Sequence, residues 1–239
     1  MDSKGIQINK YISSSGYCSR READKLIEQG RVMINENVAL LTNKVMAGDI
    51  VTVDDEKLKK KKSQSIYIAF NKPVGITTTT DLKDKTNVIS FINHPQRIFP
   101  IGRLDKDSEG LLLLTNDGDI VNKILREGNN HDKEYLVTVH KSITPEFISM
   151  MANGVPILGT KTKKCKVKQE GSKRFRITLT QGLNRQIRRM CEYLGYDVQS
   201  LLRVRIMNIK LDKIQTGKWR YLSAPEIEQL ELLLQNSTS

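Results

Sequence analysis

Residues 111–114 are four consecutive leucines, and this run limits what the chain can fold into. An apolar run closed by turn residues, here Asn116-Asp117-Gly118, reads as a buried strand. Upstream, Ile98, Phe99 and Ile101 lead to Gly102, and a charged loop occupies residues 103–110. Arg103, Asp105, Lys106, Asp107 and Ser108 therefore sit on a loop held between packed elements, a common place for chemistry on a rigid scaffold. Acids and bases on a loop also fit a solvated turn with ordinary ion pairs. A calcium loop does not fit. Asp105, Asp107, Glu109 and Gly110 match its opening, but Asn116 stands where the closing bidentate Glu belongs, and leucines fill the coordinating half. A glycosidase carboxylate pair is disfavoured because no sugar-binding aromatics lie near Asp105 and Asp107.

At 239 residues the chain can bury a real core and hold one or two domains. Its formal net charge is +12, and the basic residues cluster. That points to a polyanionic partner, RNA or DNA, or to an acidic membrane surface. Cys18, Cys165 and Cys191 are scattered, as are His94, His131 and His140. Neither set has metal-ligand spacing, and no disulfide framework is expected. No signal peptide opens the sequence and no apolar run approaches a membrane span, so the expectation is a soluble cytoplasmic protein without a membrane partner.

Residues 6–53 read as a small module. Ile8, Tyr11 and Ile12 carry a helical stripe that Gly16 breaks. Ser19-Arg20-Arg21-Glu22 is a capping box opening a helix that buries Ala23, Leu26 and Ile27. Val32 and Ile34 alternate as a strand, and residues 50–53 form another. Arg20 and Arg21, beside free N–H groups, offer charge and donors to a phosphate, although a solvated helix end fits too. Residues 54–65 contain Lys59-Lys60-Lys61-Lys62 and read as a basic linker, since like charges cannot pack a core.

From Ile66 the composition turns apolar, and residues 66–234 read as the larger domain. Strands are expected at residues 66–70, 133–139, 174–179 and 201–206, the last with Arg203 and Arg205 on the side away from its apolar residues. A further exposed strand with a basic face is expected at residues 161–168. Asn71-Lys72-Pro73-Val74-Gly75 is a turn. Helices are expected at residues 88–92 and 117–127, after the Thr144-Pro145 cap, and at residues 225–234 with Ile227, Leu230, Leu233 and Leu234 inward. Residues 235–239 read as a disordered tail. After Gly182 a helix turns Ile187, Met190, Cys191 and Leu194 inward, leaving Arg185, Arg188 and Arg189 on its other face. Arginines in the first turns oppose the helix dipole, which suggests a carboxylate or phosphate nearby; a solvated face is the alternative.

GRLDKDSEGLLLLTNDGD (residues 102–119), NKPVG (71–75), the KxY pattern of Lys133 and Tyr135, and NRQIRRM (184–190) resemble the motifs of pseudouridine synthases of the RsuA type. That family isomerises uridine in ribosomal RNA, and the likeness runs from Ile6 to about Leu234, strongest to the large-subunit branch. Residues 8–39 resemble the S4 RNA-binding domain. The resemblance implies an α+β protein. A small N-terminal S4-like α/β domain would precede a mixed, largely antiparallel β-sheet catalytic domain of the pseudouridine synthase type, flanked by helices.

The resemblance also implies Asp105 as nucleophile, Arg188 paired with it, and Tyr135 against the target base, a role that suits an aromatic ring facing an unstacked nucleotide. Arg103, Lys106, Asn184, Arg185 and Arg189 would bind flanking RNA or help flip the target, with Asp107 and Gln186 among the substrate contacts. Lys10, Arg20, Arg21, Lys25 and Arg31 would be the phosphate contacts of the S4 module. The reaction breaks an N-glycosidic bond and joins C5 to C1′, an isomerisation that requires no cofactor and no metal. The expected partner is RNA, namely large-subunit rRNA and by the same likeness a tRNA anticodon loop, with no DNA and with the chain acting as a monomer. The alternative is a non-catalytic S4-type RNA-binding or ribosome-assembly protein. It shares the basic surface but leaves the set Asp105, Tyr135 and Arg188 without a purpose.

Overall fold

The computed structural model describes residues 5–58 and 65–237. It divides into two compact units, Met1–Gln64 and Ser65–Ser239. Lys59 to Lys62 of the expected linker, and Thr238 and Ser239 of the expected tail, lie outside the described residues.

In the smaller unit, helix α1 (Ile8–Ser14) packs with α2 (Arg20–Glu28). The capping box forms: the Ser19 hydroxyl accepts from the Glu22 N–H at 3.2 Å, and the Glu22 carboxylate accepts from the Ser19 N–H at 2.8 Å. Val32–Ile34 pairs with Asn37–Val38 and with Val51–Val53, which continues into a hairpin with Glu56–Lys57. Ile8, Ile12, Ala23, Ile27, Val32, Val51 and Val53 form the core between helices and strands. The polar stretch thus begins later than its composition suggests. Asp54 and Asp55 are the hairpin turn, at φ +49° and +64°, a backbone region that Asp tolerates better than most residues.

In the larger unit we number the strands of the main sheet β1 (Tyr67–Lys72), β2 (Glu109–Thr115), β3 (Lys133–Val139), β4 (Lys166–Gly171), β5 (Arg174–Leu179), β6 (Val198–Ile206) and β7 (Trp219–Tyr221). Their order is β4-β5-β3-β6-β2-β1-β7, with Phe99–Ile101 added to β2 and Ile209–Lys210 to β6. Only the β2–β6 pair on this path is parallel. The helices are α3 (Val88–Ile92), α4 (Gly118–Leu125), α5 (Pro145–Asn153), α6 (Gln186–Tyr193) and α7 (Ala224–Leu234).

The four leucines are apolar throughout because β2 is covered on both faces. Leu111 and Leu113 join Tyr67, Ala69, Ile120, Ile124 and Leu230, so α4 and α7 cover that side. Leu112 and Leu114 join Ile68, Phe70, Val88 and Ile92 beneath α3. Each leucine is essentially buried, a contribution of about 2 kcal/mol apiece. A third core lies where α5 and α6 meet β3 and β5, around Val137, Phe147, Met151, Phe175, Ile177, Ile187 and Met190.

Two expectations shift. The basic strand starts at Lys166, because Thr160–Lys161 pairs instead with Pro156–Ile157. On α7, Leu233 is exposed, since it lies on the flank of Leu230 opposite Ile227 and Leu234.

Candidate active site

The loop of residues 103–110 enters β2 with its main chain tied at successive positions. The Thr78 hydroxyl donates to the Leu104 carbonyl at 2.7 Å and accepts from the Leu104 N–H at 3.3 Å. The Ser108 N–H reaches back to the Asp105 carbonyl at 3.1 Å, and the Gly75 N–H donates to the Lys106 carbonyl at 2.8 Å. The turn at residues 71–75 therefore buttresses the loop, with Gly75 at φ +90°. Behind it, the Lys72 side chain is fully buried, and its ammonium donates to the carbonyls of Pro73 (2.8 Å) and Ile76 (2.9 Å).

A cavity of about 540 Å³ opens beside this loop, lined by Arg103, Asp105, Tyr135, Asn184, Arg185, Gln186 and Arg188 among others. Tyr135 comes from β3, with Ile177 and Arg203 as its cross-strand neighbours. The carboxylate, the aromatic ring and the guanidinium groups singled out in sequence thus converge from three separate elements.

The pairing within this group differs from expectation. Among the described residues no ion pair within 4 Å joins Asp105 to Arg188; Asp105 lies 3.8 Å from the Arg185 guanidinium. Arg185 is not in the helix. It is the N-cap of α6 at φ +49°, which swings its side chain toward the loop. There it grips Asp107 through both terminal guanidinium nitrogens, at 3.1 and 3.0 Å. That hydrogen bonding, aided by the charge of Arg188, holds the Asp107 carboxyl below its usual range, although partial burial opposes it. Arg188 clamps main chain instead. It donates to the carbonyls of Asp107 (2.8 Å) and Val198 (3.3 Å) and to the Ser108 hydroxyl (3.2 Å), with its Nε 3.5 Å from the Asp107 carboxylate. The loop and these carbonyls thus supply the acceptors that basic first turns of α6 call for.

The remaining expected contacts sort by what already occupies them. Lys106 is exposed at the loop tip. Arg189 folds back onto Asn184, donating to its carbonyl (3.2 Å) and its side-chain oxygen (3.3 Å). Gln186 is buried and its amide closes the turn before α6, accepting from the Leu183 N–H at 3.0 Å and donating to Gln181 at 3.4 Å. In the smaller unit Arg20, Arg21 and Lys25 are exposed on α2, and Lys10 is half-buried on α1. Arg31 is committed elsewhere: its guanidinium forms a two-point pair with Asp54, whose carboxyl it holds below the usual range.

Sequence reasoning missed Arg203. Alternation along residues 201–206 sets it on the side away from Leu202, Val204 and Ile206, yet it is 3% exposed and lines the cavity with Leu201 and Ile206. Arg203 keeps the facing of Leu201, two residues before it. Beyond it Glu134 pairs with Arg205 and Tyr135 with Arg203, so one residue of β6 is skipped and Ile206 takes the cavity side in place of Arg205. Lys133 lines the same cavity, and burial, followed by the charge of Arg203, lowers its pKa. Among the described residues no cluster of three His, Cys, Asp or Glu side chains could hold a metal ion. No described helix is long and apolar enough to cross a membrane.

Residues 66–193 match the RNA pseudouridylate synthase family, and residues 8–56 match the S4 domain. The chain is 57% identical over 235 residues to the dual-specificity RNA pseudouridine synthase RluF of Escherichia coli (strain K12), covering 98% of this chain and 81% of that protein. It is 36% identical over 237 residues to the ribosomal large subunit pseudouridine synthase B of Bacillus subtilis (strain 168), covering 95% and 96%. A crystal structure of a pseudouridylate synthase superposes with a TM-score of 0.70 at 29% identity, over 94% of this chain and 99% of that one.

Proposed function

The chain belongs to the RNA pseudouridylate synthase family, and from that premise we propose that it converts a uridine of 23S rRNA to pseudouridine with Asp105 as nucleophile. It is an isomerase acting on RNA. The target's N1–C1′ bond breaks, the uracil turns, C5 joins C1′, and the C5 proton is lost while N1 regains one. Asp105 supplies the carboxylate that opens this sequence. Tyr135 holds the flipped base by its ring face. Arg185 stands over Asp105, while Arg188 fixes the neighbouring main chain. Exposed Arg103, which lines the cavity, and exposed Lys106 on the same loop take flanking phosphates, and the S4 module adds sequence-independent backbone contacts.

The observation that carries the reading is the convergence of Asp105, Tyr135 and Arg188 on one cavity. The name of the E. coli relative describes a dual specificity, and we extend this to a second RNA, a tRNA anticodon loop. The enzyme works as a monomer in the cytoplasm.

The test maps pseudouridine in 23S rRNA and tRNA from cells carrying the wild-type chain, no chain, or Asp105→Ala. One uridine modified only with the wild type is the expected result. Modification retained with Asp105→Ala removes Asp105 from the centre of the mechanism. No difference among the three strains, with the protein expressed, overturns the activity on these RNAs.

A further inference from the structure

Arg203 has no part in the function described above, and its surroundings ask for one. It stands on β6 directly opposite Tyr135 on β3 and, on the other side, opposite Gly110 at the start of β2. Its Nε donates to the Leu111 carbonyl at 2.6 Å and its Nη1 to the Arg103 carbonyl at 3.2 Å. Arg103 opens the reaction loop and Leu111 follows its last residue. One planar fork therefore holds both ends of the segment that carries Asp105. The other ties, from Thr78, Gly75 and Arg188, act on the interior of the loop.

The approach that allows this is unusually close. A Cβ on Gly110 would meet the Arg203 carbonyl oxygen at 2.4 Å and its main-chain nitrogen at 2.7 Å. Only glycine lets β2 and β6 run side by side at this point, which brings the root of the loop over the guanidinium.

A purely structural tie does not need this residue. Burying a guanidinium is costly unless partners offset it. Here two other buried or half-buried ammonium groups, Lys72 and Lys133, feel its charge. Its Nη2 has no hydrogen-bond partner among the described residues, so the fold alone does not saturate it. What the guanidinium offers over a neutral amide is a rigid fork that spans two carbonyls at fixed separation.

We propose that Arg203 is a positioning residue for the isomerisation: by gripping the Arg103 and Leu111 carbonyls, it sets the placement of Asp105 relative to the base held on Tyr135. The proposal rests on Asp105 acting as nucleophile. A misplacement of about 1 Å at a reacting group costs on the order of 100-fold in rate, so loss of the fork should be read in the chemical step rather than in RNA binding.

The experiment uses the full chain and unmodified 23S rRNA transcribed in vitro with tritium at uridine C5, following tritium release under single turnover and RNA affinity by filter binding. Arg203→Lys keeps the charge but replaces two donor nitrogens held at a fixed separation by one flexible point of attachment. Arg203→Gln removes the charge. The expected result is a rate lowered by about 100-fold in Arg203→Gln and by at least about 10-fold in Arg203→Lys, with affinity and melting temperature close to wild type. A rate within about 3-fold of wild type in both variants overturns the proposal, as does a loss of affinity that matches the loss of rate. If neither variant folds, Arg203 serves the fold as a whole and the proposal falls. An inactive wild type on this transcript would instead sink the 23S rRNA reading. Activity retained by Asp105→Ala in the same assay would remove the nucleophile assignment on which the positioning role rests.

Discussion

Lys72 is an ammonium group at a place where an apolar side chain would pack more cheaply. Burial, followed by the charge of Arg203, pushes its pKa down to about 8, against the opposing pull of Asp105, Asp107 and Glu109. In the unfolded chain the same group titrates near 10.5. Below about pH 8 both states hold the proton and the cost of the buried charge is fully present. Between about pH 8 and 10.5 only the unfolded state keeps it, so stability from this group rises with pH. Lys72→Met removes the titration. Wild type should gain about 2 kcal/mol on the variant between about pH 7.5 and 9.5, measured by urea unfolding. A difference that stays constant would mean that Lys72 does not titrate in this range.

At one edge of the main sheet a bidentate ion pair joins strand to helix. On β7, Arg220 meets Glu226 of α7 through two contacts of 2.7 Å. The same Glu226 carboxylate accepts from the Ser223 N–H at 2.8 Å, closing a capping box. The Arg220 hydrogen bonds come first among the causes that hold the Glu226 carboxyl down to about 2, while burial opposes them. A carboxyl with a depressed folded pKa contributes stability above its unfolded value, and that stability is lost as pH falls through the folded one. Glu226→Gln should destabilise by about 2 kcal/mol at neutral pH, with the gap to wild type closing as pH falls from about 4.5 toward 2. Thermal melts across that range check it. An equal gap at every pH would assign the effect to the cap geometry alone.

At the scale of the whole molecule, two compact units share one strongly basic chain. RNA affinity should fall steeply with salt, because each phosphate contact releases a counterion. In the smaller unit the exposed Arg21 and Lys25 of α2 are available to phosphate, whereas Arg31 is held by Asp54. The double variant Arg21→Ala, Lys25→Ala should lower the slope of log affinity against log salt by roughly 2, and Arg31→Ala should leave the slope unchanged. Filter binding over a salt series reads both. The opposite ranking would place the phosphate path along the hairpin turn at Asp54 and not along α2.

Local pattern was enough for much of this. The leucine run, the Ser19 and Thr144 caps, the strand at Lys133–Val139 and the loop bearing Asp105 follow from periodicity, turn residues and capping chemistry, which act within a few residues. Asp105, Tyr135 and Arg188 were singled out by the resemblance of their motifs to a known family. Which of them touch was not legible. Arg185 faces the acids because its backbone turns left-handed before α6, and Arg188 is drawn to carbonyls that reach it only across the tertiary fold. Arg203 was hidden because the carbonyls it donates to, those of Arg103 and Leu111, come from a segment far away in the chain. Lys72 was hidden because the carbonyls that make its burial tolerable are assembled by a turn. The sequence by itself determined the elements and the chemical groups. Tertiary structure decided the pairings, because electrostatic and hydrogen-bond partners are chosen by distances of about 3 Å between segments far apart in the chain, which no local pattern encodes.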